Sequence, residues 1–189
     1  MLRFAVVIGI TFLLGACLPV DEFTQQKNAA RQAGAVQAHK MAASPAEVQK
    51  FLSNPTARVW NMHGTQIEYL AADGRTFLWY PGNAKVLPGR WKLQKASYGL
   101  EMCFLYGEAT YNPITMQRCG NWECDMAAYY LLDHDELVAG DPLRLERITV
   151  PFVMPKGSNV SIAQAMNKAG FGKLRAANKA LAPQYPTGN

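Results

Sequence analysis

A nucleophilic cysteine needs a base beside it, and Cys119 with His63 or His134 is the one such combination worth naming. No spacing brings these residues together, so Cys119 reads as a spare or alternatively paired thiol in a loop, and no catalytic residue is expected. Asp133-His134-Asp135-Glu136 gathers carboxylates and an imidazole that could hold a cation, but it lacks the glycine and the terminal glutamate of a calcium loop. A solvated turn between strands explains it, and neither a metal site nor a cofactor is expected. Glu68 and Asp73 would make an acid and base pair, yet Asp73 is accounted for by a turn and Glu68 by the outward face of a strand. The aromatic set is Trp60, Trp79, Tyr80, Trp91 and Trp122 with Tyr69, Tyr129 and Tyr130. Rings along a barrel wall bind a sugar or an apolar ligand, although most such rings simply fill a core. Trp79, Tyr80, Trp91, Trp122 and Tyr111 are the candidate ligand-binding residues.

The start of the chain carries a different chemistry. Met-Leu-Arg-Phe is followed by an uncharged apolar run from Ala5 to Leu14, the layout of an export signal. That run is far shorter than the roughly 20 residues that span a bilayer as a helix. Leu14-Gly15-Ala16-Cys17 resembles the bacterial lipoprotein box, in which the cysteine sulfur receives a diacylglyceryl group. Residues 1–16 are therefore expected to be removed and Cys17 to be lipidated; an ordinary cut near Ala16 is the competing reading. Leu18, rather than an aspartate, follows the cysteine, which by the same resemblance favours the outer membrane. Export leaves Cys103, Cys119 and Cys124 in an oxidising compartment, hence one disulfide and one odd thiol. A bridge wants Cα atoms about 5.5 Å apart, which neighbouring antiparallel strands supply more readily than a stiff short interval. Cys103 with Cys124 is preferred and Cys119 with Cys124 is the runner-up. The odd thiol offers a route to a disulfide-linked dimer.

The elements that must position these groups follow from punctuation and period. Residues 17–43 are polar and alanine-rich and read as a tether. Ser44-Pro45-Ala46-Glu47 has the pattern of a capping box with proline in the first turn, so a short helix to about Leu52 is expected, ended by Asn54-Pro55. From Arg58 onward, short runs of aromatic and branched residues are closed by glycine, proline or asparagine. Gln66 to Ala72 and Arg75 to Tyr80 flank Asp73-Gly74 as a hairpin. Further strands are expected over Arg90 to Lys95 and Leu100 to Tyr106. A long loop, Gly107 to Gly120, precedes a strand over Asn121 to Leu132 and a last extended piece near Leu145 to Met154.

This pattern predicts a mainly β domain, an antiparallel meander closed into a barrel or folded as a sandwich, over residues 44–160. Residues 161–189 read as a basic helical tail in which Ser161 and Gln164 frame a helix start. The chain holds 19 Lys and Arg against 14 Asp and Glu. The modest positive balance suits an anionic envelope surface and argues against nucleic acid as a partner.

Glu68-Tyr69-Leu70-Ala71-Ala72-Asp73-Gly74-Arg75-Thr76, Gly89-Arg90-Trp91, Cys103-Phe104 and Trp122-Glu123-Cys124 resemble small exported alphaproteobacterial proteins grouped as a domain of unknown function, family nine-nine-five or a close neighbour. The resemblance covers residues 58 to 126. It implies an exported β domain and the Cys103 to Cys124 pairing, and no activity. The expected protein is a non-enzymatic envelope lipoprotein, facing the periplasm, that binds a small ligand, a glycan or a protein. One alternative is an inhibitor-like barrel that inserts the loop Gly107 to Gly120 into a protease or lysozyme. A second is a cysteine-dependent enzyme built on Cys119.

Overall fold

The computed structural model describes residues 35–36, 38–113, 116–178 and 181. Cys17, the export segment and the end of the tail lie outside the described residues. After a helical stretch at residues 38–42, the described elements are α1 (Pro45–Phe51), β1 (Pro55–Asn61), β2 (Gly64–Leu70), β3 (Arg75–Trp79), β4 (Leu87–Ala96), β5 (Gly99–Tyr106), β6 (Tyr111–Asn112), β7 (Gln117–Arg118), β8 (Glu123–Met126), α2 (Ala127–Asp133), β9 (Glu136–Ala139) and α3 (Ile162–Lys168). Among the described residues, no helix is long and apolar enough to cross a membrane.

Strands β1 to β5 form a meander, β8 adds to β5 and β9 adds to β1, giving the order β8-β5-β4-β3-β2-β1-β9 with every pair antiparallel. The connection from β8 to β9 dictates the curvature. Seven strands laid flat would hold their edges roughly 30 Å apart at about 4.8 Å per strand. The chain crosses from one edge to the other through α2, whose seven residues rise only about 10 Å. The edges must approach, and the sheet curls into a half-barrel with α2 laid between its rims. A sandwich, the other expected outcome, is excluded.

Both faces of the sheet are covered. On the convex face Ile67, Tyr69, Phe77, Trp79 and Val138 pack under the segment after β9, which contributes Leu143, Leu145, Met154, Ile162 and Met166. Trp79 meets Phe152 edge to face at 4.9 Å between ring centroids. The buried Arg58 ties this segment down, its Nε donating to the Val160 carbonyl (2.9 Å), its Nη2 to Asn159 and its Nη1 to Asp135 (3.2 Å). On the concave face α1 inserts Val48 and Leu52 beside Leu70, Trp91, Leu100 and Met102, with Ala127, Ala128 and Leu131 of α2. This plug fills only one end of the trough.

Several expectations are corrected. The strand expected over Asn121 to Leu132 gives way after Met126 to α2, because Ala127, Ala128 and Leu131 follow a helical period and close the core. The extended piece at Leu145 to Met154 is instead a 3₁₀ turn (Leu145–Arg147) and irregular chain. Ser44 makes no side-chain cap, whereas Ser161 and Gln164 form a complete capping box on α3. Residues 38–42 are helical and Ala38 is fully buried, so this end of the expected tether is packed on the domain. The helix expected after Ser161 is α3, and its Ile162, Ala165 and Met166 pack into the convex core.

Candidate functional site

The unfilled end of the trough is a cavity of about 1030 Å³. Its floor is Ala57, Val59, Gln66, Glu68 and Leu78, one wall is Met102, Phe104 and Tyr106, and α2 with the residue that follows it contributes Tyr129, Tyr130, Asp133 and His134. The mouth is bordered by Glu123 and Asp125 of β8, by the loop residues Ala109 to Pro113 with Cys119, and by Lys156.

Register explains the arrangement. In an antiparallel ladder, residues directly opposite each other project from the same face. Ala57, Glu68 and Leu78 stand in one row, while Thr76, Gly89 and Tyr106 stand in the next. Both rows face the trough. Gly89 matters here because a Cβ at this position would sit 2.8 Å from Cδ1 and Cε1 of Tyr106 and 2.8 Å from the Leu105 carbonyl oxygen. The bare backbone lets the phenol ring lie across β4 toward β2.

Glu68 is the centre of the site. Its Oε1 accepts a hydrogen bond from Thr76 Oγ1 (2.6 Å) and another from the Tyr106 hydroxyl. Among the described residues, no cationic side chain pairs with it. Burial pushes the carboxyl above its usual range, and the two hydroxyl donors oppose that displacement without cancelling it. Tyr106 and Tyr130 are both held well above the ordinary phenol value, by burial first and then by the Glu68 charge. Phe104 joins the two phenols into a row, with centroids 6.4 Å from Tyr106 and 5.5 Å from Tyr130.

Three buried polar atoms on residues that line the cavity have no hydrogen-bond partner among the described residues: the Tyr80 hydroxyl, the Tyr130 hydroxyl and His134 Nε2. Buried side-chain polar atoms are normally satisfied. His134 is only 3 % exposed, and burial lowers its pKa. Its Nδ1 faces the Tyr130 carbonyl at 3.4 Å, the carbonyl of its own α2, one turn back.

The structure separates the residues singled out above. Tyr80 and Tyr111 border the cavity. Trp79 is fully buried in the convex core; Trp91 is buried against α1, its Nε1 donating to the Ala71 carbonyl at 2.9 Å. Trp122 is exposed outside, under the Lys92 ammonium at 4.5 Å. Trp60 is exposed as well. Cys103 and Cys124 form the disulfide, facing each other across β5 and β8 with Cα atoms 4.0 Å apart, and Cys119 is free and half-buried. Cys119 and His134 border the same cavity without a hydrogen bond between them. The run from Asp133 to Glu136 disperses: Asp133 is at the cavity mouth, His134 turns inward, and Asp135 and Glu136 lie 3.2 and 3.5 Å from Arg58. It is not a solvated turn. Glu68 lies in the trough, contrary to the outward placement expected, and Asp73 is in an exposed turn bonded to Arg75 at 2.7 Å. Among the described residues, the one cluster with ligand atoms close enough for a metal, Glu101 with Cys103 and Cys124, has both sulfurs in the disulfide.

Thr76 and Tyr106 are not singled out by the sequence reading, and Tyr130 is named there only in the aromatic set, outside the candidate ligand-binding residues. The alternation of Leu100, Met102, Phe104 and Tyr106 was the available signal for one of them, since it places Tyr106 on the same face as three apolar residues.

No family model, no curated protein and no solved structure matches the chain.

Proposed function

We propose that this protein is an exported, lipid-anchored envelope module whose half-barrel binds a small organic ligand in its trough. One observation carries the reading: a cavity large enough for a ligand of a few hundred daltons is lined by aromatic rings and by a carboxylate that, among the described residues, has no cationic partner, and three of its lining residues carry buried polar atoms with no hydrogen-bond partner among the described residues. A cavity kept merely by imperfect packing is apolar, because burying polar atoms without partners costs about 1–3 kcal/mol each. A mostly apolar wall with a few convergent polar groups is the makeup of a small-molecule site. The loop Gly107 to Gly120 supports this reading over the inhibitor alternative, because Ala109, Thr110, Tyr111, Asn112 and Cys119 are used to border the cavity. The export segment and Cys17 supply the address.

Native mass spectrometry of the full chain, released from membranes in mild detergent, tests the proposal. The expected result is a lipid-modified N-terminus on Cys17 and a second, non-covalent adduct that disappears when Ala57→Trp fills the trough. An adduct unaffected by that substitution, or none at all, would count against the cavity as the binding site.

A further inference from the structure

The chemistry of the trough specifies the kind of ligand, on the reading that the trough is a ligand site. Four carboxylates border it, Glu68, Glu123, Asp125 and Asp133, against one ammonium, Lys156, which lies along Gly82. Glu68 is the innermost, and both of its hydrogen bonds fall on Oε1, so neither hydroxyl engages the second oxygen. Nearby, the buried His134 has its Nε2 without a hydrogen-bond partner among the described residues, as do the hydroxyls of Tyr80 and Tyr130, which can donate or accept. The second oxygen of Glu68 is the acceptor in the trough that no hydroxyl engages. The row Tyr106, Phe104 and Tyr130 adds ring faces, which attract cations.

We propose that the trough binds a primary ammonium group carried on a small apolar or aromatic body, with Glu68 as its counter-ion. An ammonium group has three donors and no acceptor, matching a carboxylate oxygen that no hydroxyl engages beside aromatic ring faces. A carboxylate ligand would meet four like charges, and a neutral alcohol would leave Glu68 without a counter-charge.

Three probes of nearly equal shape decide the matter: 2-phenylethylamine, 2-phenylethanol and 3-phenylpropanoate, titrated into the full chain at neutral pH. Affinity is read by calorimetry and location by the methyl resonance of Met102, which borders the trough. The amine is expected to bind at least tenfold more tightly than the alcohol and to shift Met102, with the acid weakest. Glu68→Gln, which keeps an oxygen for Thr76 and Tyr106, should cut amine affinity about tenfold and leave the alcohol unchanged. Tyr106→Phe, which keeps the charge, should preserve the preference for the amine. The wild-type comparison needs no variant to fold. If alcohol and amine bind alike, or the acid binds best, and Met102 shifts, the ammonium assignment is overturned while the trough stands as a binding site. If no probe shifts Met102, both fall.

Discussion

Gly89 stands directly opposite Tyr106 in the β4 and β5 ladder, and the missing side chain at position 89 is the space the phenol ring occupies on its way to Glu68. A glycine inside a strand ordinarily weakens it, since it contributes no packing and loses more backbone freedom on folding. Its presence within β4, between Thr76 of β3 and Tyr106 of β5, marks a close approach. The half-barrel gives up local strand stability at one residue to bring a hydroxyl from β5 over β4 to a carboxylate on β2.

Gly89→Ala is therefore expected to destabilise the protein by about 1–3 kcal/mol, the range for forcing atoms into a packed site. Gly107→Ala is the control, because a Cβ there meets nothing within 4 Å and the change should stay within about 0.5 kcal/mol. Urea denaturation of the two variants gives the comparison. Equal effects would mean that the ring can move aside freely and that Gly89 does not position Tyr106.

Arg58 links the meander to the chain that covers it, through Asn159, the Val160 carbonyl and Asp135. Asp135 also accepts from the Trp60 backbone N–H at 2.7 Å. Removing one partner from a buried ion pair leaves the other desolvated, at a cost of about 3–5 kcal/mol. Arg58→Met should lose stability in that range and expose the convex core, seen as faster hydrogen exchange at Ile162 to Met166. An undisturbed exchange pattern would show that the apolar contacts alone hold the segment.

The parts of this architecture legible in the sequence were those set by local chemistry. Asp73-Gly74 makes a turn from its own residues, Ser161 and Gln164 cap α3 by themselves, and the preferred cysteine pair needed only adjacent strands. Glu68 was misplaced for a physical reason. Alternation along β2 separates Ile67 and Tyr69 from Gln66 and Glu68, and a strand with one apolar face is read as half solvated. Here the second face is covered too, by α1 and α2, whose contacts lie far away in sequence. Nothing local to β2 announces that Glu68 looks into a cavity. The tryptophans misled in the opposite sense: their strand positions are as expected, but Trp79 and Trp91 fill cores, as large rings usually do.

The disulfide closes a loop across a sequence separation of 21 residues that contains β6 and β7 and borders the mouth of the trough. Chain-entropy arguments assign such a cross-link about 3 kcal/mol. Cys103→Ala with Cys124→Ala should lose about that much, and reductant should bring the wild type to the same stability. Cys119→Ser should change little, since the thiol is free of any disulfide among the described residues. A large loss from Cys119→Ser, or none from the double variant, would reassign the pairing.

Glu68 also makes a pH signature expected in the free protein. Its folded pKa is raised by burial. Below the ordinary carboxylate value both folded and unfolded chains hold the proton, and the residue imposes no penalty. As pH climbs through that value the unfolded chain ionises first, so wild-type stability falls until the raised folded value is passed and then levels off. Glutamine at this position carries no such term. The melting temperature of Glu68→Gln minus that of the wild type should therefore increase across that window. The other ionisable groups that line the trough are Tyr80, Tyr106, Tyr111, Tyr129, Tyr130, Cys119, Glu123, Asp125, Asp133, His134 and Lys156. These residues are common to both proteins and drop out of the difference to first order, although loss of the Glu68 charge relaxes Tyr106 and Tyr130 at alkaline pH, above the window. Paired melts from acid to neutral pH measure the effect. A flat difference would place Glu68 in contact with solvent, and a falling one would mean that the hydrogen bonds from Thr76 and Tyr106 outweigh its burial.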